Sequence, residues 1–201
     1  MTPSILRRSL IRSALLVPAA MLASVALAAT APRAQAGDAV SSPTAHAFSF
    51  AGIEGGRIDL AAFAGRPILV VNTASRCGFT GQLAGLQTLH ERFGERGLVV
   101  IGVPSNDFRQ ELDDNAAVAA FCQGRFGVTF PMAEISSVRG AQAHPFYRWA
   151  ARERPGEAPR WNFHKYLIGP DGRISATFAT TTEPTDPRVI AAIERLVGQG
   201  S

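Results

Sequence analysis

The chain has 201 residues, 46% of them hydrophobic and 18% charged, enough for one domain with a sizeable core. Its formal charge of +4 comes from the N-terminus, where Arg7, Arg8, Arg12 and Arg33 stand without a single acid through residue 36. Taking those away from the 20 basic residues leaves 16 against 16 acidic ones, and a neutral remainder lacks the basic footprint of a nucleic-acid binder.

Arg7, Arg8 and Arg12 precede an apolar run from Ala14 to Ala29, which exits through Ala26-Leu27-Ala28 and Ala34-Gln35-Ala36. That composition is a secretory signal peptide. It is assigned to residues 1–36, with cleavage after Ala28 as the alternative. The run falls short of the ~20 residues of a membrane span, so no stable membrane insertion is expected. The mature protein is expected to be exported and periplasmic, where disulfides persist.

Residues 37–45 read as an Ala/Ser/Pro linker, and 46–198 as the folded domain. His46 to Phe50 alternates as a short strand, with Ile58 and Leu60 pairing to it after Gly55-Gly56. Leu69–Asn72 is a buried strand. Leu83, Leu86, Leu89 and Phe93 recur at helical spacing, and Gly97 ends that helix. Leu98–Pro104 reads as a second buried, parallel strand. Ala116–Phe126 is a helix with Gly127 as C-cap, followed by a short strand over Pro131–Ile135 and a helix over His144–Ala151. Phe163–Ile168 and Ile174–Ala179 form a hairpin around Pro170-Asp171-Gly172. Pro187–Val197 is the last helix.

This order predicts an α/β fold with a mixed central sheet flanked by helices. Right-handed crossover places the two buried strands side by side with their carboxyl ends on one edge. Cys77 and the loop 105–111 meet there, where open α/β sheets carry their sites. A thiol between a strand and a helix can receive backbone N–H groups and the positive end of the helix dipole, which favour the nucleophilic thiolate. The same position also suits a small buried apolar residue, and these residues alone leave both readings open.

Three stretches carry a resemblance. Val71-Asn-Thr-Ala-Ser-Arg-Cys-Gly-Phe-Thr80 resembles the nucleophile motif of the glutathione peroxidase family. Pro104-Ser-Asn-Asp-Phe108 with Gln110-Glu111 resembles its second motif, and Trp161-Asn-Phe-His-Lys-Tyr-Leu-Ile-Gly-Pro-Asp-Gly172 its third. The resemblance spans about residues 46–198. It implies a thioredoxin-like fold and reduction of hydrogen peroxide or organic hydroperoxides by a peroxidatic Cys77. It also implies Gln110, Trp161 and Asn162 around that sulfur, as neutral donors that hold a thiolate and a developing oxyanion without titrating. Two departures stand out: Arg109 alone separates Phe108 from Gln110 where the family usually has two residues, one a Gly, and Ser105 stands where many members carry Cys.

Cys122 matches the place where thioredoxin-dependent members keep a resolving cysteine. The resemblance therefore implies a Cys77–Cys122 disulfide after peroxide attack, reduced by a thioredoxin-like dithiol or by glutathione. Without it, Cys122 is a helical thiol beside Phe121 and Phe126. The short segment 152–160 implies a monomer. His46, His90, His144 and His164 show no ligand spacing, and no metal or cofactor is implied. The alternative is a non-catalytic exported binding module in which Cys77 and Cys122 form a permanent structural bridge. A disulfide reductase or copper chaperone would need a second cysteine in the Cys77 loop.

Overall fold

The computed structural model describes residues 42–198; the assigned leader and residues 37–41 of the linker lie outside the described residues. In chain order the elements are β1 (Ser49–Ala51), β2 (Arg57–Asp59), β3 (Ile68–Thr73), α1 (Gln82–Phe93), β4 (Val99–Pro104), α2 (Asn115–Phe126), α3 (Pro145–Glu153), β5 (Lys165–Ile168), β6 (Ile174–Phe178) and α4 (Pro187–Val197). Among the described residues no helix is long and apolar enough to cross a membrane.

The main sheet has the order β4-β3-β5-β6. Every residue of β3 and β4 is buried, which is why both read as unbroken apolar runs rather than alternations. β3 pairs parallel with β4 and antiparallel with β5, and β5–β6 is the expected hairpin. Successive β3 side chains point to opposite faces. Leu69 and Val71 join one apolar cluster with residues of α1, α2 and α4. Ile68 and Val70 join a second one with α3, Phe50 and Leu60. Each fully buried Leu, Ile or Val contributes roughly 1.5–3 kcal/mol relative to exposure.

The topology gathers one edge. β3 and β4 run parallel, so Thr73 and Pro104 end together, and the Ser105 N–H donates to the Thr73 carbonyl at 3.0 Å. β5 runs the other way, with Lys165 opposite Val71. The chain entering β5, residues 161–164, therefore arrives where β3 and β4 leave.

Several expectations shift in detail. Residues 45–47 form a single 3-10 turn, so the first strand is Ser49–Ala51 rather than 46–50. The local bond from the Phe48 N–H to the Ala45 carbonyl, and the tie from Ala45 to the Gly172 carbonyl, hold that turn. α1 stops at Phe93 with Gly94 as C-cap; Gly97, at φ 103°, makes the turn into β4. Gly127 caps α2 at φ 63° as expected. Residues 131–135 are not a strand. Met132 bridges Gly102 in parallel and Ala133 bridges Gly52 antiparallel, and this change of partner, next to a Pro131 without an N–H, prevents a ladder. The contact depends on Gly102, since a Cβ there would run into the Met132 sulfur.

Candidate active site

Cys77 lies in consecutive turns between β3 and α1 and is 7% exposed. Its sulfur accepts the Phe79 N–H at 3.4 Å. The Thr80 hydroxyl accepts the Cys77 N–H at 3.1 Å and lies 2.6 Å from the Cys77 carbonyl and 2.9 Å from that of Ala74. The loop is thus closed on itself, with its thiol at the edge where the sheet ends.

The loop after β4 stays beside it despite its shortened sequence. The Arg76 N–H donates to the Gln110 carbonyl at 2.8 Å, which ties Gln110 to the residue next to Cys77. Within this loop Arg109 turns left-handed at φ 58° and donates its N–H to the Asn106 carbonyl at 2.8 Å. A non-glycine residue in that region stores on the order of 1 kcal/mol or more. Arg109→Gly is expected to raise stability by up to about 1 kcal/mol, read as a higher urea midpoint, with turnover of small uncharged peroxides unchanged.

The Asn162 Nδ2 donates to the Gln110 Oε1 at 2.9 Å. This bond occupies the acceptor of Gln110 and leaves its amide hydrogens to donate outward. Asn162 is fully buried. Trp161, just before it, is 39% exposed and packs at 5.3 Å on the Phe108 ring of the loop after β4. Phe163 holds φ 63°, an unusual conformation for a bulky residue, and it reverses the chain between Asn162 and β5. The site residues expected from the sequence on loops 105–112 and 161–162 therefore meet at the edge that carries Cys77.

Cys122 faces the same apolar cluster as Cys77 from α2. Both are free thiols. A cavity of about 440 Å³ borders Cys122 and Val128 but none of Cys77, Gln110, Trp161 and Asn162.

Comparisons with known proteins bear on the family and the fold. The family model described as Glutathione peroxidase matches residues 45–151. Hydroperoxy fatty acid reductase gpx1 of Synechocystis sp. (strain ATCC 27184 / PCC 6803 / Kazusa) is 37% identical over 169 residues, covering 79% of this chain and 99% of its own. A glutathione peroxidase of Lactococcus lactis subsp. cremoris (strain MG1363) is 39% identical, covering 69% and 91%. The crystal structure of Trgpx in apo form superposes with a TM-score of 0.64 at 33% identity, covering 79% of this chain and 98% of that one. The chain belongs to the glutathione peroxidase family. It is a peroxidase with a thioredoxin-like fold.

Sequence reasoning assigned no role to several residues that hold this peroxidase's site together. Asn72, at the end of β3, donates from Nδ2 to the Trp161 carbonyl at 3.1 Å, and its Oδ1 accepts the His164 N–H at 3.0 Å. It clamps the Trp161–Asn162 segment from below. The buried Lys165 ammonium donates to Gln82 Oε1 at 2.6 Å and to the Phe163 carbonyl at 2.7 Å. Burial lowers its pKa to about 8. Glu111, 3% exposed, accepts the Ser75 and Leu112 N–H groups on one oxygen, both at 2.9 Å. Burial raises its pKa, partly opposed by those hydrogen bonds and by the Arg76 charge. A polar residue inside an apolar strand was the signal available for Asn72. Gln82 and Ser75, the long-range partners of Lys165 and Glu111, lie in distant segments and left no local signal.

Burial lowers the His164 pKa to about 4, so it is neutral at ordinary pH, and its ring packs at 4.7 Å on Tyr166.

Cys122 is 3% exposed, and burial, aided by the Glu111 charge, pushes its thiol up to about 12. The sign is plain: a raised thiol pKa keeps Cys122 protonated, and its thiolate fraction grows tenfold per pH unit through the range up to about 12. In Cys77→Ser, iodoacetamide is expected to label Cys122 at least about 10³-fold more slowly in the folded than in the urea-unfolded protein at pH 8.

Proposed function

We propose that this peroxidase works through Cys77 as the attacking thiol and Cys122 as the resolving thiol, regenerated by a thioredoxin-like dithiol or by glutathione. The difference between the two sulfurs carries this reading. Both are buried, but Cys77 sits at the sheet edge, accepts an N–H and has Gln110 tethered near it, whereas Cys122 lies in α2 and is held protonated.

The Cys77 thiolate attacks one oxygen of the hydroperoxide. A sulfur–oxygen bond forms, the oxygen–oxygen bond breaks, and the other oxygen leaves as alkoxide or hydroxide. The amide N–H of Gln110 and the indole N–H of Trp161 stabilise this leaving charge, with Asn162 fixing the orientation of Gln110; a strong oxyanion donor is worth roughly 3 kcal/mol. The leaving oxygen takes a proton and departs as alcohol or water. Cys77, now a sulfenic acid, condenses with the Cys122 thiol; a disulfide forms and water leaves. A donor dithiol reduces that bond by exchange and is itself oxidised to a disulfide.

Condensation requires the two Cα atoms within ~7 Å, an approach that local opening of α2 at Cys122 would allow. The helix is suited to opening. It buries only Val118 and Cys122 over twelve residues, against six buried residues in α1 of equal length. Gly124, one turn before the C-cap, weakens it by ~1 kcal/mol relative to Ala. Two free thiols support this cycle over a permanent structural bridge.

The hydroperoxy fatty acid reductase among the relatives and the exposed Trp161 support lipid hydroperoxides among the substrates. The leader composition supports export to the periplasm, and the short 152–160 segment supports a monomeric state.

Cys122→Ser tests the cycle. It is expected to consume one equivalent of peroxide per protein as fast as the parent and then stall with a thioredoxin system. Undiminished steady-state turnover would remove the resolving role.

A further inference from the structure

Three successive backbone carbonyls in the segment that carries Trp161 and Asn162 each accept from a side chain. The Asn72 Nδ2 donates to the Trp161 carbonyl at 3.1 Å, the Thr180 hydroxyl to the Asn162 carbonyl at 2.7 Å and the Lys165 ammonium to the Phe163 carbonyl at 2.7 Å. The last two donors are joined. Lys165 also donates to the Gln82 Oε1 at 2.6 Å, and the Gln82 Nε2 donates to the Thr180 carbonyl at 2.7 Å. Gln82 is buried and is the first residue of α1, the helix that follows the Cys77 loop. One network thus ties that helix to the peptide planes on both sides of Phe163, whose φ of 63° persists only where the surroundings enforce it. None of these bonds reaches Cys122 or α2. Lys165 is the one lysine of the chain, where every other Lys or Arg position is an arginine, and it is wholly buried. An ammonium is a compact point charge with rotatable donors, which suits two converging acceptors better than a planar guanidinium fork. Burying it against neutral acceptors is costly.

We propose that the Lys165 ammonium and the Thr180 hydroxyl are positioning groups for the peroxide step: by fixing the backbone around Phe163 they keep the Asn162 amide on Gln110. The inference rests on the peroxidase reading and adds the residues that set its oxyanion donors. Burial lowers the Lys165 pKa to about 8, opposed by the Glu183 charge. Glu183 reaches the network from the loop before α4, 3.4 Å from the Gln82 Nε2. Val71 and Phe178, the neighbours of Lys165 on β3 and β6, are apolar, and His164 beside it is neutral. As pH rises through about 8 the ammonium loses its proton, and its charge-assisted bonds become weaker neutral ones. The clamp is therefore full below that pH and slack above it.

The test is the second-order rate of the reduced protein with hydrogen peroxide, read by stopped flow per folded molecule. Lys165→Met should lower it about 10–100-fold and Thr180→Val about tenfold, and Thr180→Ser, which keeps the hydroxyl, should recover most of the loss. Reduction of the preformed disulfide by a dithiol should change less than about twofold in either variant. In an Asn162→Ala background both substitutions should have little further effect, because they act through that amide. The ratio of the parent rate to the Lys165→Met rate, in which a shared Cys77 ionisation cancels, should fall severalfold between about pH 7 and about pH 9.5. Its midpoint should match the titration of the single lysine signal in the nuclear magnetic resonance spectrum of protein carrying isotope-labelled lysine. Where Lys165→Met does not fold, Thr180→Val and Thr180→Ser decide alone. An unchanged peroxide rate in Thr180→Val, losses that add fully to that of Asn162→Ala, or a rate ratio that stays flat across the lysine titration would each overturn the proposal. A parent protein inert toward hydrogen peroxide would instead bring down the peroxidase reading, and the proposal with it.

Discussion

Cys77→Ser is expected to lower peroxide turnover by at least about 10⁴-fold, because removing the group that forms the covalent bond costs more than removing any helper. Serine keeps the shape, and its hydroxyl can still accept the Phe79 N–H that Cys77 accepts. The loop is held by Thr80 through backbone contacts that do not involve the sulfur, so the variant should fold with unchanged stability to within about 0.5 kcal/mol. Loss of activity at constant stability then reports chemistry alone. A variant that retains a tenth of the parent's rate would move the reacting group elsewhere.

Asn162→Ala should follow, with kcat/KM for peroxide reduced about 10²–10³-fold. The side chain supplies the hydrogen bond that points the Gln110 oxygen inward; without it the Gln110 amide is free to rotate, and its N–H donors no longer face the leaving oxygen. The loss should fall on the peroxide step and leave reduction of the preformed disulfide untouched, which separates it from general damage. Gln110→Ala should reproduce most of the loss, and the double variant should be little worse than either single one, since the two amides act as a unit. Fully additive losses would mean that Asn162 and Gln110 work independently.

The residues differ in how visibly their roles were written in the chain. β3 and β4 follow from unbroken apolar runs and the α1 stripe from apolar periodicity, and the parallel pairing of the two strands follows from crossover handedness. The arrival of residues 161–162 beside Cys77 did not follow from periodicity. It depends on β5 running antiparallel to β3 and on Asn72 grasping the entering segment. The family motifs supplied that placement where local patterning could not. The shortened loop at Arg109 could be read from the sequence as a departure, but its consequence could not. The loop turns at a left-handed Arg109, and the Gln110 carbonyl accepts the Arg76 N–H. The 3-10 turn at 45–47 and the bridging stretch at 131–133 escaped because their partners are distant: Gly172 for the first, Gly52 and Gly102 for the second.

The central claim is that one sulfur takes the oxygen and the other removes it. The most direct measurement is the mass and peptide map of the reduced protein after one equivalent of hydroperoxide, with free thiols blocked at once. The account predicts a loss of two hydrogen atoms and a single linked peptide pair containing Cys77 and Cys122. Oxygen retained on Cys77 with Cys122 still open to alkylation after unfolding, or oxygen found on Cys122 first, would contradict it.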